Sequence, residues 1–227
     1  ARQLYPLLVD EPAAAALDAR TEAAMVRAVL DRLAEDHADD DTLLDEARAT
    51  LDEATRFVAD RELVTLPDEE VSIIEMPEFY RGVSIAYCDA PGPFEESRET
   101  FYAIAPPPAD WSAERRESFY REYNSWMLKD LTIHEAMPGH YLQLAHAGKV
   151  HRPIRPVFSS GTFVEGWALY SEWMLGPAGF GGPEVELQPL KMVLRLRINA
   201  LLDHGVNAPP LTAQEDREPQ PGPRCQE

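Results

Sequence analysis

The sequence is short of cysteine, of basic residues and of long apolar runs. Its two cysteines, Cys88 and Cys225, support neither a disulfide scaffold nor a cysteine zinc site. No apolar run reaches the roughly 18 residues of a membrane-spanning helix, so no membrane span is predicted. Lys and Arg number 21 against 40 Asp and Glu, which gives a formal charge of −19. This acidic excess argues against nucleic acid and anionic membranes as partners, because both require a basic surface.

Apolar residues are plentiful, by contrast. They make up 44% of 227 residues, enough to bury a sizeable core in one large domain or two small ones. The first residue is Ala1 rather than methionine, which predicts a fragment or a processed product. No secretory signal is visible, and the compartment (cytoplasmic or exported) and the oligomeric state stay open.

The N-terminal part has the pattern of helices, over residues 13–37 and 42–62. Apolar residues of the second helix recur at three- and four-residue steps: Leu44, Ala47, Leu51, Ala54 and Val58. Short β-branched and aromatic segments separated by prolines follow, at Val71–Glu75, Val83–Tyr87 and Thr100–Ile104. They predict a small antiparallel sheet of two or three strands.

Helical patterns then return, with a long helix at about 113–136 capped by Ser112, another at 162–175 and a last one at 185–203. The last helix has an apolar face: Leu190, Val193, Leu194, Ile198 and Leu201. The fold class is therefore predicted as mainly α (α+β). We divide the chain into an N-terminal helical segment, 1–62, a region that carries the chemistry, 63–207, and a disordered proline-rich tail, 208–227.

Potential metal ligands lie in the segment 134–140, which reads His-Glu-Ala-Met-Pro-Gly-His. Imidazole binds zinc well, and a neighbouring carboxylate such as Glu135 can hold an attacking water. Ligands on one helical face are normally four residues apart, whereas His134 and His140 are six apart, about 120° out of alignment. Pro138 and Gly139 predict a kink or a π-bulge that returns His140 towards His134. The alternative is a surface helix end with two unrelated histidines.

A catalytic zinc site needs a third ligand, and Glu165 is the best candidate. Glu165 and Glu172 are seven residues apart and share a helical face, so one can ligate while the other supports a ligand. Taken alone, Glu165 is equally well explained as a helix cap or a surface acid. His146 and His151 compete for the ligand role.

Two segments together resemble a bacterial family known as domain of unknown function 885 (DUF885). They are 134–143, His-Glu-Ala-Met-Pro-Gly-His-Tyr-Leu-Gln, and 165–172, Glu-Gly-Trp-Ala-Leu-Tyr-Ser-Glu. Residues 71–79 and the Phe101-Tyr102 strand are also similar, so the resemblance covers roughly residues 60–205. It implies a zincin-like metallopeptidase fold of the gluzincin kind, with a small sheet beside the active-site helix. It also implies roles for individual residues: His134, His140 and Glu165 as zinc ligands, Glu135 as general base, and Tyr170 and Glu172 as supporting residues.

The chain departs from this family in two ways. Family members are usually far longer, so the chain is expected to be truncated at both ends. The family often has Asp-x-Gly-x-His after a basic helix, whereas Asn207 occupies the histidine position here. A chain without that histidine could bind metal and still catalyse poorly.

The expected reaction is hydrolysis of a peptide or small amide, in which zinc activates a water molecule and Glu135 takes its proton. Tyr170, His204 and Arg195 are candidates for stabilising the oxyanion. A strand at 83–88 or 100–105 could align an extended peptide. Two alternatives stay open: a non-peptide amide or ester hydrolase, and a catalytically inert metal-binding fragment.

Overall fold

The computed structural model describes residues 4–5, 22–81, 84–92, 95, 99–149 and 157–207. They form α-helices around a small three-stranded sheet, which confirms the mainly α (α+β) prediction. The chain divides into two compact units, Ala1–Pro189 and Leu190–Glu227. No helix within the described ranges is both long enough and apolar enough to cross a membrane. The predicted tail at 208–227 lies outside the described residues.

The sheet is mixed, so the prediction of an antiparallel sheet was wrong. Its strands are β1 (Val71–Glu75), β2 (Ala86–Asp89) and β3 (Thr100–Ile104), in the order β1-β3-β2. β3 pairs in parallel with β1 and antiparallel with β2. The chain does not close a hairpin between the first two strands, because β3 inserts between them. As a result β2 is an edge strand and β3 is central.

The first two described helices are α1 (Glu22–Leu33) and α2 (Leu43–Asp60). α2 agrees with the predicted helix at 42–62, and its buried positions include Ala47, Ala54 and Val58. It packs against β1 and against the helix that carries His134. Most of the N-terminal half of the helix predicted at 13–37 falls in residues 6–21, outside the described part of the chain.

The single helix predicted at 113–136 is two helices, α3 (Ala113–Glu122) and α4 (Ser125–Glu135). Asn124 separates them, since its side-chain oxygen accepts hydrogen bonds from the backbone N–H groups of Trp126 (3.2 Å) and Met127 (3.1 Å). Such a side chain caps a new helix and competes with continuation of the old one. The apolar spacing continues across the break, which is why the sequence pattern did not reveal it.

Three more helices complete the described chain: α5 (His140–Gly148), α6 (Gly161–Leu175) and α7 (Gly182–Asn207). α6 agrees with the predicted helix and packs against both α4 and α5. α7 is longer than predicted, and the first compact unit ends inside it, at Pro189. The predicted apolar face of α7 is largely exposed at Leu190, Leu194, Ile198 and Leu201.

Candidate metal centre

A sharp turn between α4 and α5 brings the two histidines of the 134–140 segment together. α4 ends at Glu135 and α5 begins at His140, so the chain breaks into two helices where a kink or a π-bulge was predicted. A Cβ atom on Gly139 would lie 1.8 Å from the His134 carbonyl oxygen and 2.3 Å from that of Ile133. Only glycine allows so close an approach of the backbone. The two imidazole rings consequently stand perpendicular, with centroids 4.7 Å apart.

Two side chains of α6 hold this turn. Trp167 donates its indole N–H to the Pro138 carbonyl (2.8 Å), and Ser171 donates its hydroxyl to the same oxygen (3.2 Å). The two donors are four residues apart and therefore lie on one side of α6. The sequence did not predict a role for either residue, although their four-residue spacing is visible in the segment 165–172.

One carboxylate from α6 faces both histidines. The Glu165 Oε2 atom lies 3.6 Å from His134 Nε2 and 3.8 Å from His140 Nε2. The three ligand atoms all lie within 4.8 Å of one another. Ligand atoms about 2.0–2.1 Å from a shared tetrahedral zinc ion are about 3.3–3.4 Å from one another. A small movement of these three side chains towards each other would therefore be enough to bind a zinc ion. The separations are too long for hydrogen bonds but within the distance of an ion pair, so the carboxylate interacts electrostatically with both rings.

His134 is oriented by a second carboxylate from the same helix. Its Nδ1–H donates to Glu172 Oε1 at 2.5 Å, and Glu172 is buried. A carboxylate on one ring nitrogen fixes the tautomer that leaves the other nitrogen free to bind metal. Burial lowers the pKa of His134, but the Glu172 hydrogen bond and the surrounding carboxylates outweigh that effect and raise it overall.

His140 is held in the form that a metal requires. Burial, and then the neighbouring His134, lower its pKa to about 4, against an opposing effect of Glu165. The ring is therefore neutral at pH 7, as a zinc-binding imidazole must be. Its Nδ1 atom is buried and has no hydrogen-bond partner within the described part of the chain. The cluster thus offers two imidazoles and one carboxylate as possible ligands, and a second carboxylate supports His134. This set of groups fits zinc well.

Glu135 is buried between α4 and the edge strand β2. Burial raises its pKa to about 7, while the backbone N–H of Cys88 donates a hydrogen bond to its carboxylate and opposes the rise. Burial, reinforced by Glu135, also raises the pKa of the Cys88 thiol to about 12, so the thiol stays protonated. The contact with Cys88 was missed from sequence, because a backbone donor leaves no signature in residue identity.

Within the described residues of the first compact unit, the remaining candidates lie outside the cluster. Tyr170 is an exposed residue of α6 whose ring lies 5.8 Å from that of Trp167, and it is about 140° around the helix from Glu165. His146 Nε2 contacts the Thr65 carbonyl oxygen at 2.8 Å and lies outside the ligand cluster. His204 and Arg195 belong to the second compact unit, where Asn207 donates to Asp203. His151 is outside the described residues.

The fold and this cluster define a mainly helical protein in which two histidines at the turn between α4 and α5 lie close to a glutamate of α6. The profile of the family described as "Bacterial protein of unknown function (DUF885)" matches residues 8–218. The chain belongs to this family. No curated protein shows significant similarity to it.

Two solved structures have similar folds. One is described as a "putative lipoprotein of unknown function" from Shewanella oneidensis, with 33% identity and a TM-score of 0.73 over 90% of this chain. The other, a "putative lipoprotein" from Colwellia psychrerythraea, has 22% identity and a TM-score of 0.63 over 91% of this chain. The matches cover 36% and 35% of those proteins, so the chain spans about a third of their length.

Proposed function

We propose that this chain is a zinc-dependent hydrolase of the gluzincin type that acts on peptides or small amides. The observation that carries the proposal is the convergence of His134 Nε2, His140 Nε2 and Glu165 Oε2 within 4.8 Å, beside the buried Glu135. Three protein ligands leave a fourth position for water or substrate, the arrangement typical of catalytic rather than structural zinc. A bound zinc ion supplies a Lewis acid, which polarises a carbonyl group and makes water nucleophilic at neutral pH.

Glu135 would act as the general base. A carboxyl group with a pKa raised to about 7 accepts and returns a proton near neutral pH more readily than an ordinary glutamate. Its hydrogen bond from the Cys88 backbone fixes the carboxylate against β2. The base can therefore take a proton from water and hold it for the leaving amine without moving far.

β2 is the strand that could align an extended substrate. Among the described residues, β2 pairs with β3 alone, whereas β3 has a strand on each side, so the earlier alternative at 100–105 is unfavourable. Cys88 contacts Glu135 through its backbone, which brings β2 next to the base. Edge pairing with a peptide main chain is a common means of substrate alignment.

The test separates metal binding from hydrolysis. We expect about one zinc per chain after dialysis in the wild type, and loss of that zinc in His140→Ala. Glu135→Gln should retain zinc and lose hydrolysis of a mixed peptide library by at least about a hundredfold. Glu114→Gln, a change at an exposed glutamate of α3, is the matched control and should alter neither property.

Full activity of Glu135→Gln with zinc bound would overturn the role of Glu135. Turnover of ester compounds, and of neither peptides nor small amides, would replace the substrate class. Zinc binding without turnover on either set would favour an inert metal-binding chain.

A further inference from the structure

Three aromatic residues at the sheet form an exposed cluster: Phe79, Tyr80 and Tyr87. The ring centroids of Phe79 and Tyr80 are 4.5 Å apart, and those of Tyr80 and Tyr87 are 5.4 Å apart. Phe79 is 78% exposed and Tyr80 is 49% exposed. Single exposed apolar residues are ordinary, but neighbouring rings that leave this much surface in water indicate a binding surface.

A closed turn presents Phe79 and Tyr80. Both belong to a single 3-10 turn just after β1. Arg81 fixes the end of this turn, because its backbone N–H donates to the Glu78 carbonyl at 3.1 Å and its side-chain Nε–H donates to the Met76 carbonyl at 2.9 Å. The backbone therefore holds the two rings before any ligand arrives, which lowers the entropy that binding must remove.

Tyr87 connects this cluster to the strand that contacts Glu135. Tyr87 and Cys88 are consecutive residues of β2, so their side chains point to opposite faces of the sheet. Cys88 packs in the main core, on the face that α4 covers, whereas Tyr87 packs with Ala103 on the other face. The aromatic cluster and Glu135 are thus separated by the thickness of one strand.

The pairing of β2 with β3 shows which backbone groups of β2 turn away from β3. The Ala105 N–H donates to the Ile85 carbonyl at 2.8 Å, so residue 85 is hydrogen-bonded to β3. Such bonding alternates along an antiparallel pair, so Tyr87 also bonds to β3 and Cys88 turns its N–H and C=O groups the other way. The hydrogen bond from the Cys88 N–H to Glu135 agrees with this direction. The Cys88 carbonyl oxygen points the same way and can accept a hydrogen bond from a substrate N–H.

An extended peptide along this edge would place its side chains alternately on the two faces of the sheet. The peptide residue that pairs with Cys88 would direct its side chain to the face of α4. Its neighbours in the peptide would face the side of Tyr87, at a diagonal distance of about 7–8 Å that aromatic side chains can span. The base and the aromatic cluster would therefore contact different residues of one peptide.

We propose that Phe79, Tyr80 and Tyr87 bind a large apolar side chain, leucine or phenylalanine, of an extended peptide substrate. This side chain belongs to the residue next to the one that pairs with Cys88. The rings supply an apolar surface held in place by the 3-10 turn, and the strand edge supplies the direction of the peptide. The assignment rests on the proposed hydrolase function and names the substrate side chain that the chain selects.

The binding test uses the full chain after removal of metal by a chelator, so that no turnover interferes. The probe is a short fluorescein-labelled peptide of serine and threonine with one central leucine, and its partner has alanine at that position. By fluorescence anisotropy, the wild type should bind the leucine peptide about tenfold more tightly, because leucine buries more apolar surface than alanine. Phe79→Ala combined with Tyr80→Ala should reduce this preference to less than about twofold.

Phe158→Ala is the matched control. Phe158 is 79% exposed, like Phe79, and lies outside the cluster, so its loss should leave the tenfold preference unchanged. Thermal melting and circular dichroism verify that each variant is folded. Equal binding of the two peptides by the wild type would overturn the proposal, and so would a preference that survives in the folded double variant. Tighter binding of the same peptide with central arginine would overturn the apolar assignment in favour of a cationic side chain.

The activity arm measures kcat/KM for peptides that differ only in leucine or alanine at each position around the scissile bond. We expect a preference for leucine at one position, carried mainly by KM, and loss of that preference in the double variant with zinc content unchanged. Selective peptide binding in a chain without hydrolysis would contradict the proposed function and leave the aromatic binding surface standing. Hydrolysis without the leucine preference would overturn the assignment of the cluster and leave the proposed function standing.

Discussion

His134 offers one ring nitrogen to Glu172 and turns the other towards His140 and Glu165. Its orientation therefore depends on a residue 38 positions away in sequence, on another helix. Glu172 also has one carboxylate oxygen, Oε2, that is buried without a partner in the described ranges. His134 is thus the described side chain that this carboxylate contacts, so we expect Glu172 to position the ring in the proposed metal centre.

Glu172→Leu should weaken zinc binding by about 10- to 100-fold, because the His134 ring loses the acceptor that fixes its tautomer. Glu172→Gln keeps an acceptor and should lose less. The measurement is competition for zinc against a chromogenic chelator, with exposed Glu114→Gln as the control. An unchanged zinc affinity in folded Glu172→Leu would mean that the contact is structural only.

Glu135 should make the stability of the zinc-free protein depend on pH. Its pKa rises from 4.5 to about 7 on folding, so its contribution is complete below about pH 4.5 and is lost as pH rises through about 7. Glu135→Gln stays neutral and avoids this loss. The variant should therefore gain on the wild type by up to about 3 kcal/mol between pH 4.5 and 8. Urea denaturation across that range measures the difference, and a constant difference would contradict the buried-carboxyl explanation.

At the scale of secondary-structure elements, the junction of α4 and α5 depends on Gly139. Gly139→Ala would drive its methyl group into the backbone carbonyls of His134 and Ile133, so the turn must open. We expect loss of zinc binding and a decrease of more than about 2 kcal/mol in the free energy of unfolding. Urea denaturation and elemental analysis measure the two effects.

Gly166 provides the matched control for that change. It is next to Glu165 inside α6, and an added Cβ atom there meets nothing within 4 Å. Gly166→Ala should keep zinc and stabilise the chain by about 0.5–1 kcal/mol, since alanine favours a helix interior. Equal losses in the two variants would show that the α4–α5 turn is not specially constrained.

The sequence predicted the existence of this junction better than its form. The six-residue spacing of His134 and His140, with Pro138-Gly139 between them, required a departure from regular helix. It did not determine whether that departure is a kink, a bulge or the full break that the structure has. The seven-residue spacing of Glu165 and Glu172 predicted a shared face, and both carboxylates do face His134.

Features that depend on contacts between residues far apart in the sequence were harder to predict. The directions of β1, β2 and β3 follow from which strand inserts between the others, and local residue patterns do not encode that order. The break at Asn124 was hidden because apolar residues continue on both sides of it. The backbone contact between Cys88 and Glu135 joins a strand to a helix through an atom that every non-proline residue has.

At the scale of the whole molecule, the proposed ligands lie on three different helices. His134 lies in the last turn of α4, His140 begins α5 and Glu165 lies in α6. Because α4 packs against α2 and α6, an ion shared by these ligands would stabilise the folded core of the first compact unit.

Zinc at about 100 times its dissociation constant should stabilise the folded protein by about 2.7 kcal/mol. For a chain of this size, that corresponds to a Tm increase of about 5–10 °C by calorimetry. His140→Ala should show no increase. His146→Ala should retain it, because His146 contacts the Thr65 carbonyl and lies outside the cluster. Loss of the increase in His146→Ala alone would identify His146 as the ligand.

The three proposed ligands differ greatly in exposure: the side chain of Glu165 is 64% exposed, against 21% for His134 and 10% for His140. An incoming ion would therefore meet the carboxylate at the surface first and the imidazoles last, and a departing ion would release them in the opposite order. Exchange of the ion then requires movement of one surface side chain and no unfolding of the core. We expect a chelator to strip the folded protein at a rate that rises with chelator concentration, and Glu165→Gln to accelerate this release far more than it lowers the Tm of the zinc-free chain.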